Sequence, residues 1–225
     1  MHRHEMATSS SCMRQYLVYW DHLLGGNDIV IPEHFLVTSR LGVRRARAED
    51  APFIHALWTS PDVMRCVGFP KGLAISQDAI CQQIERSSHS DFGALLIAES
   101  LETKTRIGQC QIGAPDAEGI CEPDIKLAPA HWGVGYGTEL WSAMIDHAFT
   151  HPDTRIVQGT PNRANTASIR MQKSAGMIAV DQGLFEPNVR FHPQAIAVPY
   201  IKLQITRAQW QVQQERALAH AEGCS

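Results

Sequence analysis

The sequence predicts a mixed α/β (α+β) fold: one central sheet, mostly antiparallel, with a single parallel crossover. Three observations lead there. A meander of three apolar runs lies in mid-chain, a glycine-rich loop follows its last run and opens an amphipathic helix, and the elements after that alternate strand and helix. The 225-residue chain is 44% hydrophobic and 19% charged, a balance that supports a packed core in one large domain or in one domain with an extension.

Taken in order, residues 1–37 read as an N-terminal extension of unassigned role. Within it Tyr16–Trp20 is apolar, and Gly25–Asp28 breaks the chain. Leu41–Ala46 reads as a strand, and Arg44, Arg45 and Arg47 are expected at solvated positions on and beside it. Asp50 is placed as the N-cap of a helix carrying Phe53, Ile54, Leu57 and Trp58 at helical spacing. Ser60-Pro61-Asp62 starts a second short helix, with proline at the first helical position. Ser76 caps a third that carries Ile80 and Ile84. The meander follows: Phe92–Glu99, Thr105–Ile112 and Ile120–Leu127, the last two joined by the turn-rich stretch Gly113–Gly119. After the loop, Tyr136, Leu140, Trp141, Met144, Ile145 and Ala148 mark one face of a helix. Arg155–Thr160 is a strand, Asn165–Ala175 a helix stopped by Gly176, Val198–Thr206 a late strand, and Arg207 opens a terminal helix. The domain is placed at 38–210, with 211–225 as C-terminal helix and tail.

Composition narrows function. Net charge is −3, and the short arginine run does not make the basic stripe of a nucleic-acid binder, so no nucleic-acid partner is expected. No apolar stretch approaches the roughly 18 residues of a membrane span. Met1–Met6 leads into Ser and Thr rather than an apolar signal core, so the expected location is cytoplasmic, away from membranes. The six cysteines form no C-x-x-C pair and are expected as free thiols, with Cys110 and Cys121 on adjacent strands. His147 and His151 are four apart, but Pro152 ends their helix there, and no metal site is expected.

The most informative stretch is Trp132-Gly133-Val134-Gly135-Tyr136-Gly137-Thr138-Glu139. Glycines at alternate positions let backbone approach an anion closely, and the helix behind them offers unpaired N–H groups and the positive end of its dipole. A P-loop would need Gly-Lys-Ser/Thr, and here Gly137 precedes Thr138 and Glu139. A dinucleotide fold would need G-x-G-x-x-G near the start of a parallel sheet.

Gly133–Glu139 resembles the pyrophosphate loop of GNAT N-acetyltransferases. Asn165-Thr-Ala-Ser168, continuing to Lys173-Ser-Ala-Gly176-Met177, resembles that family's second motif. Thr38-Ser-Arg-Leu41 with Arg44, Glu49-Asp50-Ala51, Asp62–Arg65 and Ile205–Trp210 resemble the RimJ/RimL branch, which includes enzymes acetylating N-termini of ribosomal proteins. The likeness spans about residues 38–210. Two positions depart from the pattern: Trp132 stands first in the loop signature, and Met171 stands where some members carry a tyrosine that serves as general acid.

The resemblance implies a GNAT fold with a splayed pair of parallel strands, helices on both faces of the sheet, and acetyl-CoA as acyl donor. Its pantetheine arm would pair with Asp124-Ile125-Lys126-Leu127, and its pyrophosphate would sit on the N–H groups of Val134, Gly135, Tyr136, Gly137 and Thr138, beside Trp132 and Gly133. Asn165 and Ser168 would lie near the thioester, Asn165 also serving as N-cap. Glu122 is the first candidate for general base and Asp124 the second, two residues apart on one strand face. The expected reaction is direct attack by a primary amine in a ternary complex. The acceptor is first read as a peptide N-terminal α-amine, whose pKa of about 7.7–8.0 leaves roughly one in ten neutral at pH 7. Small amines (an antibiotic, polyamine or amino acid) stand second, and a catalytically silent CoA-binding module third. A monomer or homodimer is expected.

Overall fold

The computed structural model describes residues 33–87, 91–187 and 193–222. The apolar run Tyr16–Trp20, the break at Gly25–Asp28, and Cys12 and Cys224 lie outside them. Glu33–Val212 forms one compact unit. Residues 213–222 carry the last turns of the C-terminal helix.

Five strands build the first sheet: β1 (Leu36–Val37), β2 (Leu41–Arg45), β3 (Leu96–Ser100), β4 (Arg106–Ile112) and β6 (Pro123–Leu127), adjacent in that order and antiparallel throughout. The second sheet has the order β5 (Ile120–Cys121), β7 (Ile156–Gly159), β9 (Val198–Thr206), β8 (Ile178–Phe185), and only its β5–β7 pair is parallel. The helices are α1 (Ala51–Thr59), α2 (Pro61–Met64), α3 (Gln77–Ser87), α4 (Tyr136–Ala148), α5 (Thr166–Ser174) and α6 (Arg207–Glu222).

Strand alternation distributes the core. In β3, Leu96 and Ala98 face the cluster that holds α4, whereas Ile97, with Leu95 just before the strand, faces the cluster of α1 and α3. Both faces are therefore covered, and all of β3 is buried. Helix α4 inserts Leu140, Trp141, Met144, Ile145 and Ala148 into a core shared with Val157 of β7 and Leu203 and Ile205 of β9. Each large side chain so buried contributes about 1.5–3 kcal/mol. Among the described residues, no helix is long and apolar enough to cross a membrane.

Several expectations are corrected. The run Phe92–Glu99 becomes a strand only at Leu96: Gly93 turns at φ +81°, and Phe92 makes an isolated bridge to Ile112. The single strand Ile120–Leu127 is two strands in two sheets, interrupted at Glu122. Strand β8 had no expectation attached, and Leu36–Val37, placed in the extension, pairs with β2. Arg44 is not solvated. It is buried, with Nη1 2.7 Å from Asp50 Oδ2 and Nε 3.1 Å from Glu99 Oε2, while Arg106 Nε lies 2.6 Å from Asp50 Oδ1. Asp50 precedes α1 as expected but makes no side-chain cap; its carboxylate instead accepts from the Arg47 N–H (2.8 Å). Burial pushes this carboxyl up, but its bonds from Arg44, Arg47 and Arg106 outweigh that and hold it below the ordinary aspartate value.

Cys110 and Cys121 are buried free thiols. Burial raises both, Cys121 to about 12, so neither is a thiolate nucleophile near neutral pH. His147 and His151 lie against the Phe92 ring, at centroid distances of 5.4 and 5.1 Å.

Candidate active site

The site begins where the two sheets part. β5 pairs in parallel with β7 at Ile120–Ile156 and Cys121–Val157, and then the ladder stops. The next strand starts with Pro123, which has no N–H to donate and so ends such a ladder. β6 continues along β4 alone. The Ala128 N–H donates to Ile107 O (3.0 Å) and the Gly113 N–H to Glu122 O (3.3 Å), which makes Glu122, Asp124, Lys126 and Ala128 the residues bonded to β4. By alternation, the backbone groups of Ile125 and Leu127 point the other way, into the gap left by β7. The Leu127 carbonyl is already taken: Trp132 Nε1 donates to it at 2.9 Å.

Beyond β6 a short 3₁₀ turn, Pro129–His131, leads into the glycine loop. Gly133 (φ +77°) and Gly135 (φ +88°) adopt left-handed backbone conformations that disfavour side chains, and Gly135 is the residue from which α4 starts. The first helical bond runs from the Glu139 N–H to Gly135 O (3.1 Å), so the N–H groups of Tyr136, Gly137 and Thr138 precede the ladder at the positive end of the helix. The sequence-predicted loop residues are thus gathered at one helix N-terminus, beside the free edge of β6. Asn165 caps α5, its Oδ1 accepting from the Ser168 N–H (3.1 Å), while Ser168 Oγ accepts from Gln172 Nε2 (3.3 Å).

Glu122 sits at the apex of the fork. Its carboxylate accepts a hydrogen bond from Gln158 Nε2 of β7, and Gln158 Oε1 in turn accepts from Gln204 Nε2 of β9 (2.6 Å). Asp124 pairs with Lys126 two residues along. The two carboxylates share an open cleft of about 430 Å³, together with Gln111, Asp116 and Gln158. This wall is acidic at three points. Asp116 Oδ1 is engaged by the N–H groups of Glu118 and Ile120, both at 2.9 Å.

Two features of the site were not anticipated. One is the Gln158–Gln204 chain behind Glu122, which depends on the register of β7 against β9. The other is a clamp on the glycine loop from the β1–β2 turn. Glu139, in the first turn of α4, accepts from Thr38 Oγ1 (2.5 Å), Ser39 Oγ (3.0 Å), the Arg40 N–H (2.9 Å) and Arg40 Nε (2.7 Å). Burial raises the Glu139 carboxyl, and these donors more than reverse it, leaving it below the usual glutamate value. Thr38 to Leu41 stood out in the sequence only through the family resemblance. Nothing local connects it to a glutamate a hundred positions later. Among the described residues, Glu33, His34 and Glu99 bring potential ligand atoms within 4.8 Å, but His34 and Glu99 bond each other (2.7 Å) and Glu99 also holds Arg44.

A family model described as an acetyltransferase (GNAT) domain matches residues 40–178. The chain is 27% identical over 144 residues to a Bacillus licheniformis protein called uncharacterized N-acetyltransferase p20, covering 62% of this chain and 79% of that one. It is 29% identical over 146 residues to YkkB of Bacillus subtilis (strain 168), covering 63% and 84%. Among solved structures it resembles the spermidine N-acetyltransferase of Vibrio cholerae bound to CoA and spermine, with TM-score 0.65, 18% identity, and coverage of 77% of this chain and 99% of the other. It also resembles aminoglycoside acetyltransferase AAC(6')-Ib bound to coenzyme A, with TM-score 0.57, 17% identity, and coverage of 76% and 97%. At these identities the structural likeness is one of fold.

Proposed function

The chain belongs to the GNAT acetyltransferase family, and from that premise we propose that it moves the acetyl group of acetyl-CoA onto a primary amine at the β6–β7 fork, with Glu122 as proton acceptor. The observation that carries this reading is the conjunction of a glycine-lined helix N-terminus with a strand edge whose Ile125 backbone groups and Leu127 N–H face an open gap. The helix end suits a pyrophosphate, and the strand edge suits an extended amide-bearing arm.

In this reading the N–H groups from Val134 to Thr138 hold the pyrophosphate, and the pantetheine arm lies along Ile125–Leu127. The thioester carbonyl comes to rest near the Ile125 N–H, which stabilises the oxyanion as it forms. A neutral amine attacks the carbonyl carbon, forming the C–N bond. The tetrahedral centre then expels sulfur, and the amine's proton passes to Glu122. The thiolate takes up a proton to leave as CoA. Holding amine and thioester together is worth up to about 7–11 kcal/mol, so a modest base suffices. Gln158 fixes the Glu122 carboxylate at the mouth of the cleft.

The acceptor we favour is a small polycationic amine, because Asp116, Glu122 and Asp124 all border the cleft and complementary charge draws such a molecule in. The spermidine and aminoglycoside acetyltransferases of similar fold support this choice. A peptide α-amine is the second reading, favoured by the RimJ/RimL-like segments Thr38–Leu41 and Ile205–Trp210. The test is a panel of spermidine, an aminoglycoside, and short peptides with either a free N-terminal Ser or Ala or a blocked N-terminus and an internal lysine, all with acetyl-CoA and with free thiol followed. Fastest turnover of spermidine or the aminoglycoside supports the first reading; preference for the free N-terminus transfers the assignment to the second.

A further inference from the structure

Arg40 lies against the glycine loop without being part of it. Its Nη1 donates to Val134 O (3.1 Å), its Nε and Nη2 both reach Glu139 Oε2 (2.7 Å each), and its guanidinium lies over the Tyr136 ring, 4.6 Å from the centroid. A Cβ built on Gly135 would come within 3.3 Å of Nη2, which puts this cation beside the residue that opens α4. The carboxylate it holds belongs to that same first turn. A glutamate there stabilises an isolated helix, but it also places a negative charge next to the N–H groups that would receive an anion. Thr38, Ser39 and the Arg40 N–H occupy Glu139 Oε1, and the Arg40 side chain occupies Oε2.

We propose that Arg40 is a positioning residue for acetyl-CoA: its guanidinium masks the Glu139 carboxylate and braces the Val134 carbonyl, so that the helix N-terminus presents a net positive, correctly shaped cradle to the pyrophosphate. This rests on the reading of the loop as the acetyl-CoA site. Arg40 is half exposed and belongs to neither buried cluster, so its removal leaves the core intact.

The experiment compares four proteins: wild type, Arg40→Ala, Glu139→Gln and the double variant. For each, acetyl-CoA binding is measured by calorimetry, and KM for acetyl-CoA and kcat by thiol release with a saturating amine. Arg40→Ala should weaken acetyl-CoA binding and raise its KM by about tenfold or more, with kcat within about threefold of wild type. Glu139→Gln keeps the acceptor for Thr38 and Ser39 but loses the charge, so the double variant should recover most of the lost affinity. Unchanged affinity in Arg40→Ala overturns the proposal. A double variant as weak as Arg40→Ala overturns it too, because the guanidinium would then be acting on the anion itself. A thermal melt of each protein separates these outcomes from misfolding. A wild type that binds no acetyl-CoA contradicts the proposed function instead, which keeps the two failures distinct.

Discussion

Glu122 and Asp50 show how differently two carboxylates can be used in one chain. Glu122 stands at the apex of the fork, open to the cleft and held by Gln158. If it accepts the amine proton, Glu122→Gln should lower kcat/KM roughly 10²-fold or more while acetyl-CoA affinity is kept. A pH–rate series in which the variant runs at near wild-type rate would move the role to Asp124 or to water. Asp50 is fully buried and receives Arg44, Arg106 and the Arg47 N–H. Asp50→Ala leaves the Arg44 charge buried with only Glu99, and should cost about 3–5 kcal/mol in urea unfolding; a loss below about 1 kcal/mol would show that the network relaxes at little cost. Glu122 stood out in the sequence as a candidate because it lies two residues from Asp124 in a run read as one strand leading into a glycine loop; the structure places it between β5 and β6. Arg44 was not, because a basic residue in a basic run reads as solvated until the partners that neutralise it, Asp50 and Glu99, are brought beside it by the fold.

Among the elements, the glycine loop and α4 were the most legible, since left-handed glycines and a 3.6-residue apolar stripe are local signals. Gly135→Asp should abolish acetyl-CoA binding while the fold survives. The position is exposed and Asp tolerates the left-handed conformation, but the added carboxylate would occupy the place proposed for the pyrophosphate. Calorimetry that finds wild-type affinity in this variant would remove the loop from the account. The division of Ile120–Leu127 into β5 and β6 was less legible, because what ends β5 is its loss of a partner in β7. Pro123 is the local trace of that event. Strand β8 left little signal at all: it is an edge strand whose Ile178, Val180, Leu184 and Phe185 are about half exposed, so no buried face imposes a clear alternation.

At the scale of the whole molecule, buried titratable groups set how stability depends on pH. His147 is held between the Phe35 and Phe92 rings, at centroid distances of 5.1 and 5.4 Å, and burial lowers its pKa below the ordinary histidine value, with Asp91 opposing. As pH falls below about 6.5 the unfolded chain takes up a proton that the folded one resists, so stability should decline on that limb. Asp50 and Glu139 are lowered instead. Their contributions are present above the ordinary carboxylate values and are lost only as pH falls through their lower folded values. Asp146, raised by burial although Trp210 donates to it, carries the opposite sign and weakens the fold as pH rises through its range. Urea midpoints for wild type and His147→Gln between pH 5.5 and 7.5 should therefore converge towards acid; a His147→Gln profile parallel to wild type would contradict the assignment. Acetyl-CoA adds a second coupling, since a ligand at 100 times its Kd stabilises by about 2.7 kcal/mol. The central claim, acetyl transfer to an amine at the β6–β7 fork, is tested most directly by following free thiol from acetyl-CoA with spermidine present and absent, for wild type and Glu122→Gln. The account predicts amine-dependent thiol release, with mass spectrometry showing acetylated amine in equal amount, and a rate roughly 10²-fold lower in the variant. Thiol release that neither requires an amine nor responds to Glu122→Gln would contradict it.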